Sequence, residues 1–287
     1  MPITSRCFLF PLHGKDYKIT YYQWGAIDAD PVIGVHGLLL NGRDFDFIGQ
    51  DIAEHGKQIL AIDLPGRGLS DALENPDDYS FDVYYSAILA MLDHANLRNR
   101  SCDWIGTSLG GLLAMGMMGR NLIAIDKLVL NDIGYTAPKE ALDFIAYYAQ
   151  TPKIFQTYAE GRQFIQQMRE PNFGRLDADH WDHIAKHTLR QKNDQWVYHY
   201  DPAIGQQFAK EPLGKDDLKQ AWQKHVTCPT LLIHGEKSQI LTNDIIDDMD
   251  QSRTAPHFIV HKIPECGHVP PLMNKNQRDL VTNFLFS

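Results

Sequence analysis

Apolar residues in this chain fall into short runs rich in β-branched side chains, separated by longer stretches where apolar positions recur every three or four residues. The short runs predict strands at Ile19–Trp24, Val32–His36, Gln58–Asp63, Asp103–Gly106, Lys127–Asn131, Thr230–His234 and Phe258–Ile263. Helical patterns sit between most of them. Phe81–Ala95 places Phe81, Tyr84, Tyr85, Ile88, Leu89 and Leu92 on one helical stripe. Leu109–Met118 follows a strand directly and mixes apolar with small residues, which predicts a buried helix. Thr242 reads as the N-cap of a helix through Ile245–Met249. Pro270-Pro271 reads as the opening of a helix over Leu272–Phe286, because proline is tolerated in a first turn. Strands alternating with helices predict a mostly parallel α/β sheet.

The alternation breaks once. From about Gly134 to Gln223 no buried strand stands out, and the residues read as helices at Lys139–Gln150, Ile154–Met168, Ala178–Thr188 and Asp216–Trp222. A helical block between two core strands predicts an insertion lying over the sheet. The expected organisation is a core of residues 1–133 and 223–287 with a helical cap at 134–222, its boundaries near Gly134 and Cys228-Pro229.

Composition narrows the function classes. A chain of 287 residues can bury a sizeable core without staples. Its 44% hydrophobic and 22% charged residues exclude a disordered or collagen-like protein. The net charge of −9 and the lack of a basic run argue against binding nucleic acid or anionic membranes. Cys7, Cys102, Cys228 and Cys266 are dispersed and read as reduced thiols rather than a metal site. The run Cys7–Phe10 is too brief for a signal-peptide core, and no stretch approaches the ~18 apolar residues of a membrane span. The expectation is a cytoplasmic enzyme, monomeric or homodimeric, whose partner is a small-molecule substrate.

The sharpest chemical feature is Gly106-Thr107-Ser108-Leu109-Gly110-Gly111, between a strand and a helical run. That context is the one a G-x-S-x-G nucleophile elbow requires. The strand turns into a helix within about one residue, which strains the backbone of Ser108 and lifts its hydroxyl out of the sheet. Side chains at Gly106 and Gly110 would collide with the neighbouring chain. The turn leaves the Leu109 N–H free at a helix N-terminus, aimed at a substrate carbonyl. A second oxyanion donor is expected from Leu38, in the loop His36-Gly37-Leu38 that ends an early strand.

A serine hydroxyl needs a base. Of 13 histidines, His268 is the strongest candidate. It lies in Glu265-Cys266-Gly267-His268-Val269-Pro270, in a loop at the carboxyl end of the last strand. The third member of a triad, which fixes the histidine tautomer, is less obvious. A carboxylate is expected near Ser238 or Gln239, and neither position has one. Asp132 ends the strand after the elbow helix, 24 residues beyond Ser108, at the same sheet edge. Glu236 and Asp244 remain alternatives. His36 and Arg67 read as structural, Arg67 with an anion contact as its other reading. His180, His183 and His187 share one helical face and form a weak metal alternative to exposed histidines. No Gly-rich segment matches a P-loop.

Taken together, His36-Gly37, Asp63-Leu64-Pro65-Gly66-Arg67-Gly68-Leu69-Ser70, the elbow at Ser108, Asp132 and Gly267-His268 resemble the α/β-hydrolase family over nearly the whole chain. The resemblance implies an eight-stranded, mostly parallel sheet with helices on both faces and a helical cap inserted after the sixth strand. It also implies triad order Ser, Asp, His and no metal or cofactor. Some relatives carry the acid after the sixth strand, and Asn131-Asp132-Ile133-Gly134 looks like that version. The reading is a serine carboxylic-ester hydrolase for small to medium, fairly apolar substrates, bound among cap aromatics such as Tyr135, Phe144, Tyr148 and Trp181. C–C bond, thioester or lactone hydrolysis stays open, as does a non-catalytic receptor of the same fold.

Overall fold

The N-terminal strand is the one core strand the hydrophobic pattern does not announce. In the computed structural model, which describes residues 3–287, β1 (Thr4–Leu12) pairs antiparallel with β2 (Lys15–Trp24), from Thr4 opposite Gln23 to Leu12 opposite Lys15. The two linking residues, His13 and Gly14, both take positive φ, as a tight hairpin turn with the strands' own twist requires. Only Phe8 and Phe10 of β1 are buried, so this edge strand carries too few apolar residues to stand out.

The remaining core strands are β3 (Pro31–Val35), β4 (Gln58–Ile62), β5 (Cys102–Thr107) and β6 (Ile125–Asn131), followed, after three short cap strands, by β10 (Thr230–Gly235) and β11 (Phe258–Ile263). They form one eight-stranded sheet in the order β1-β2-β4-β3-β5-β6-β10-β11, parallel from β4 onward. This is the mostly parallel α/β sheet that the alternation predicts.

Side chains along each central strand alternate between two apolar layers. Ile33, Leu60, Trp104, Leu128 and Leu232 face one layer. Val32, Ile59, Ile105, Val129 and Leu231 face the other. The first layer is closed by α2 (Phe81–His94) and α3 (Leu109–Gly119), the second by α1 (Asp46–Glu54) and α10 (Lys275–Leu285). α3 is buried on nearly all sides, which explains its run of apolar and small residues.

Between β6 and β10 lie α4 (Lys139–Gln150), α5 (Tyr158–Phe173), α6 (Ala178–Thr188), α7 (Ala203–Lys210) and α8 (Leu218–Lys224); α9 (Asn243–Ser252) follows β10. The region is not purely helical. β7 (Ile154–Phe155), β8 (Leu189–Lys192) and β9 (Gln195–Tyr198) form a small antiparallel sheet in the order β7-β9-β8. β7 takes the first residues expected of a helix at Ile154–Met168. The helix starts instead at Tyr158, where the Thr157 hydroxyl accepts the Glu160 N–H at 3.2 Å.

Two other boundaries differ from expectation. Pro270-Pro271 precede α10 rather than open it. Leu272 takes a φ of 54° and its N–H is held by the Gln277 side chain, so helix begins only at Lys275. α8 runs across position 223. Its Trp222 Nε1 donates to Met249 O of α9 at 2.9 Å, which joins it to the core. Thr242 caps α9 as expected, accepting the Ile245 N–H.

The inserted region is tied to the core loops by hydrogen bonds from several directions. Asn41 Nδ2 donates to His187 O at 3.0 Å, and Gly68 N–H donates to His199 O at 3.1 Å. Asp201 N–H donates to Gly66 O at 2.8 Å, and Gly267 N–H to Asn172 O at 2.8 Å. Among the described residues no helix is long and apolar enough to cross a membrane, and all four cysteines are free thiols.

Candidate active site

β5 ends at Thr107 and α3 begins at Leu109, so Ser108 alone makes the turn, at φ 50° and ψ −111°. A non-glycine residue in this region is strained, and such strain persists only where the surroundings enforce it. Here they do. A Cβ on Gly110 would lie 2.0 Å from Val35 O, and one on Gly106 would lie 2.5 Å from Gly110 O. The two glycines let helix and strand close on each other and leave the serine no relaxed alternative.

His268 reaches Ser108 from the loop after β11. Its Nε2 stands 2.9 Å from Ser108 Oγ, and its Nδ1 stands 2.8 Å from Asp132 Oδ2. A buried carboxylate can only accept, so Nδ1 carries the proton and Nε2 presents a lone pair to the serine hydroxyl. Ser108, His268 and Asp132 thus form one continuous hydrogen-bonded chain. Glu236 and Asp244 are exposed and take no part in it.

Asp132 is fully buried and takes a φ of 55° at the end of β6. Its Oδ1 accepts the Gly235 N–H at 2.7 Å; its Oδ2 accepts the Ser238 hydroxyl at 2.5 Å as well as His268. His234, also buried, places Nδ1 3.5 Å from Oδ1, an electrostatic contact rather than a hydrogen bond. Burial pushes the Asp132 pKa up, but the contacts with His234, His268 and Ser238 push harder the other way. They hold the carboxyl below the ordinary carboxylate range. Position 238, where the sequence lacks an expected carboxylate, therefore supplies a donor to the carboxylate at 132. Neither Ser238 nor His234 stands out in the sequence, because only the pairing of β10 with β6 brings them to Asp132.

Leu109 follows Ser108 within the elbow, and Leu38 follows Gly37, on which a Cβ would lie 3.6 Å from Ser108 Cβ; among the described residues neither amide N–H has a partner within the chain. The Leu38 loop is held from below. Arg67, fully buried, donates from Nε to Leu38 O at 3.0 Å and from Nη1 to Pro65 O and Tyr84 Oη, with Tyr84 also under its guanidinium. His36 Nδ1 donates to Gly37 O at 2.7 Å, and its Nε2 accepts the Leu64 N–H at 3.1 Å. Burial lowers the His36 pKa to about 3, so the ring is neutral in both roles. Both residues serve the loop, as the structural reading of each expects.

A cavity of about 680 Å³ opens over Ser108 and His268. Phe144 and Tyr148 line it, together with Leu39, Leu40, Ile145 and Met168. Tyr135 and Trp181 do not. Tyr135 is buried with its hydroxyl donating to Asp248, and Trp181 is buried against the ring of Phe173. Both rings fill the protein interior, and aromatic content alone gives no sign of which side chains face the cavity. The wall is mainly apolar but also includes Arg169, Glu140, Lys237, Gln239 and Asn172. None of these five is marked by a motif.

The histidine cluster sits away from this cavity. His183 and His187 converge with Asp46, their ligand atoms within 4.8 Å of one another. Arg43 already grips the Asp46 carboxylate, with Nε at 2.8 Å and Nη2 at 2.5 Å, and His183 Nε2 lies 3.0 Å from Arg43 O. His180 stands outside this group and packs edge-on to Phe47, as His183 does. The Arg43–Asp46 pair lies within the turn and the start of α1, and the contact of His183 Nε2 with Arg43 O joins that turn to α6.

Comparison with known proteins agrees with this architecture. A family model described as alpha/beta hydrolase fold matches residues 30–274. The chain is 28% identical to the 3-hydroxybutyrate-oligomer hydrolase of Cupriavidus necator, over 93% of this chain and 92% of that protein. A solved structure from Rickettsia typhi, described as a hydrolase, superposes with a TM-score of 0.86 at 28% identity, covering 100% of this chain and 99% of that one. An alpha/beta hydrolase from Novosphingobium aromaticivorans gives 0.83 at 25% identity, covering 99% and 98%.

Proposed function

The chain belongs to the α/β-hydrolase family, and on that premise we propose that it is a serine hydrolase of carboxylic esters working through an acyl-enzyme. The observation that carries this reading is the unbroken path from Ser108 Oγ through His268 to Asp132. Ser108 attacks the ester carbon while His268 Nε2 takes its proton. The carbonyl oxygen becomes an oxyanion between the Leu38 and Leu109 amides, each such donor lowering the barrier by about 3 kcal/mol. His268 then hands the proton to the departing alkoxide oxygen, and the alcohol leaves. A water molecule gives a proton to the same nitrogen and attacks the acyl carbon. The acid departs as Ser108 regains its proton. Asp132 holds the imidazole in the required tautomer throughout and stabilises the imidazolium. Every reacting group besides ester and water belongs to the chain.

The mixed cavity wall and the likeness to a 3-hydroxybutyrate-oligomer hydrolase support short esters of hydroxy acids as the substrate class. The test is hydrolysis of 4-nitrophenyl butyrate and of the linear 3-hydroxybutyrate dimer by wild type and Ser108→Ala. The reading expects turnover of both by wild type and loss of at least ~10³-fold in the variant. Equal turnover by the two proteins overturns it.

A further inference from the structure

Arg169 is a cation on the cavity wall whose charge nothing in the reaction uses. It projects from α5, whose C-terminal end docks on the His268 loop: Asn172 O accepts the Gly267 N–H at 2.8 Å and the Cys266 thiol at 2.9 Å. Arg169 lies three residues before Asn172, so its position is fixed relative to the base. Among the described residues its side chain makes one hydrogen bond, from Nη1 to Thr188 Oγ1 at 3.2 Å, and its guanidinium rests over the Phe173 ring. A guanidinium carries five N–H donors, so most remain unspent.

The other charges on that wall do not satisfy it. Lys237 is a cation like Arg169 and, unlike it, has a carboxylate partner in Glu265. Glu140, the one acid on the wall, is exposed on α4 and makes no salt bridge to Arg169. Asp44 feels the Arg169 charge but is turned to the Asn41 N–H at 3.0 Å, and burial raises its pKa. A second polar feature lies alongside. Tyr148, also on the wall, pairs its hydroxyl with that of Tyr198 at 2.8 Å, while among the described residues the buried Tyr200 hydroxyl next to that ring pair has no partner. A half-buried guanidinium with unspent donors, near enough for its charge to act on Tyr198 and Tyr200, is suited to a planar anion, which it grips with two parallel hydrogen bonds.

From this we infer that Arg169 is a specificity residue that anchors a free carboxylate of the substrate, selecting esters whose alcohol part ends in a carboxylate, as a hydroxy-acid oligomer does. The inference rests on the ester-hydrolase reading and adds which end of the ester is recognised and by what. A lysine in the same place would supply charge without the planar fork.

The experiment compares kcat/KM for the linear 3-hydroxybutyrate dimer with that for its terminal carboxamide, in wild type, Arg169→Gln and Arg169→Lys. Wild type should prefer the carboxylate at least tenfold, with the preference carried by KM and shrinking as salt is raised. The preference should fall to below twofold in Arg169→Gln and to an intermediate value in Arg169→Lys. Because it is a ratio within one protein, general damage to folding cancels. A ratio equal in wild type and Arg169→Gln, or a wild type without preference, overturns the anchor. Turnover of 4-nitrophenyl butyrate judges the hydrolase reading separately: a wild type active on it but indifferent to the carboxylate leaves that reading standing and removes this one.

Discussion

Ser238 donates its hydroxyl proton to Asp132 Oδ2 at 2.5 Å while accepting the N–H groups of Ile240 and Leu241 at 3.2 Å each. A residue that carries no charge thus helps keep its neighbour charged. Replacing it with alanine removes one of the contacts that offset the burial of Asp132. The carboxyl pKa then rises, and the ionised form that His268 needs is lost at a higher pH. In Ser238→Ala we expect kcat/KM to fall about tenfold, the value of one charge-assisted hydrogen bond, and its acid limb to move to higher pH. A pH–rate profile indistinguishable from wild type counts against this role.

The identity of the acid is testable against its sequence rivals. Asp132→Asn keeps the shape of the site but lets the imidazole adopt the wrong tautomer, and should lower kcat by up to about 10⁴. Glu236→Gln and Asp244→Asn alter exposed side chains and should stay within about twofold of wild type. Steady-state kinetics on a neutral aryl ester distinguishes them; the reverse pattern reassigns the acid.

How much of this was readable from the chain depended on contiguity. The elbow is legible because strand end, serine, glycines and helix start are neighbours in sequence, and His268 because Gly267 and the last strand sit beside it. Asp132 needed one step of topology, from β5 to β6. Ser238 and His234 needed the pairing of β10 with β6, which no local pattern encodes. Arg169 sits in an ordinary polar helix stretch, and only the docking of α5 on the His268 loop gives it meaning. The cap strands carry little hydrophobic signal: β8 buries only Leu189, its other residues being polar and exposed. Composition correctly signals an aromatic-rich insertion, yet it cannot say that Phe144 faces the cavity while Trp181 faces inward.

Histidines kept neutral by full or partial burial weaken the fold in acid. His36 is held to a pKa of about 3, His187 to about 3 and His199 to about 4, each by burial first. Between these values and the unfolded value near 6.5, the unfolded chain binds protons that the folded chain refuses. Stability therefore falls as pH drops from 7 to 5. Asp63, which burial raises to about 6, works in the opposite direction over part of that window without offsetting the three imidazoles, and Asp44 and Asp103, also raised by burial, pull the same way as Asp63. His36 alone should account for about 2 kcal/mol between pH 7 and 5. Urea unfolding at the two pH values should show this loss reduced by that amount in His36→Gln; an equal loss in both proteins removes His36 from the account.

The central claim is that the Ser108 hydroxyl is a nucleophile made reactive by His268. Treatment with a fluorophosphonate followed by peptide mass spectrometry tests it most directly. The account predicts a phosphonyl adduct on Ser108 in wild type, formed at least ~10³-fold more slowly in His268→Ala. No adduct on Ser108, or labelling at the same rate without the imidazole, would contradict it.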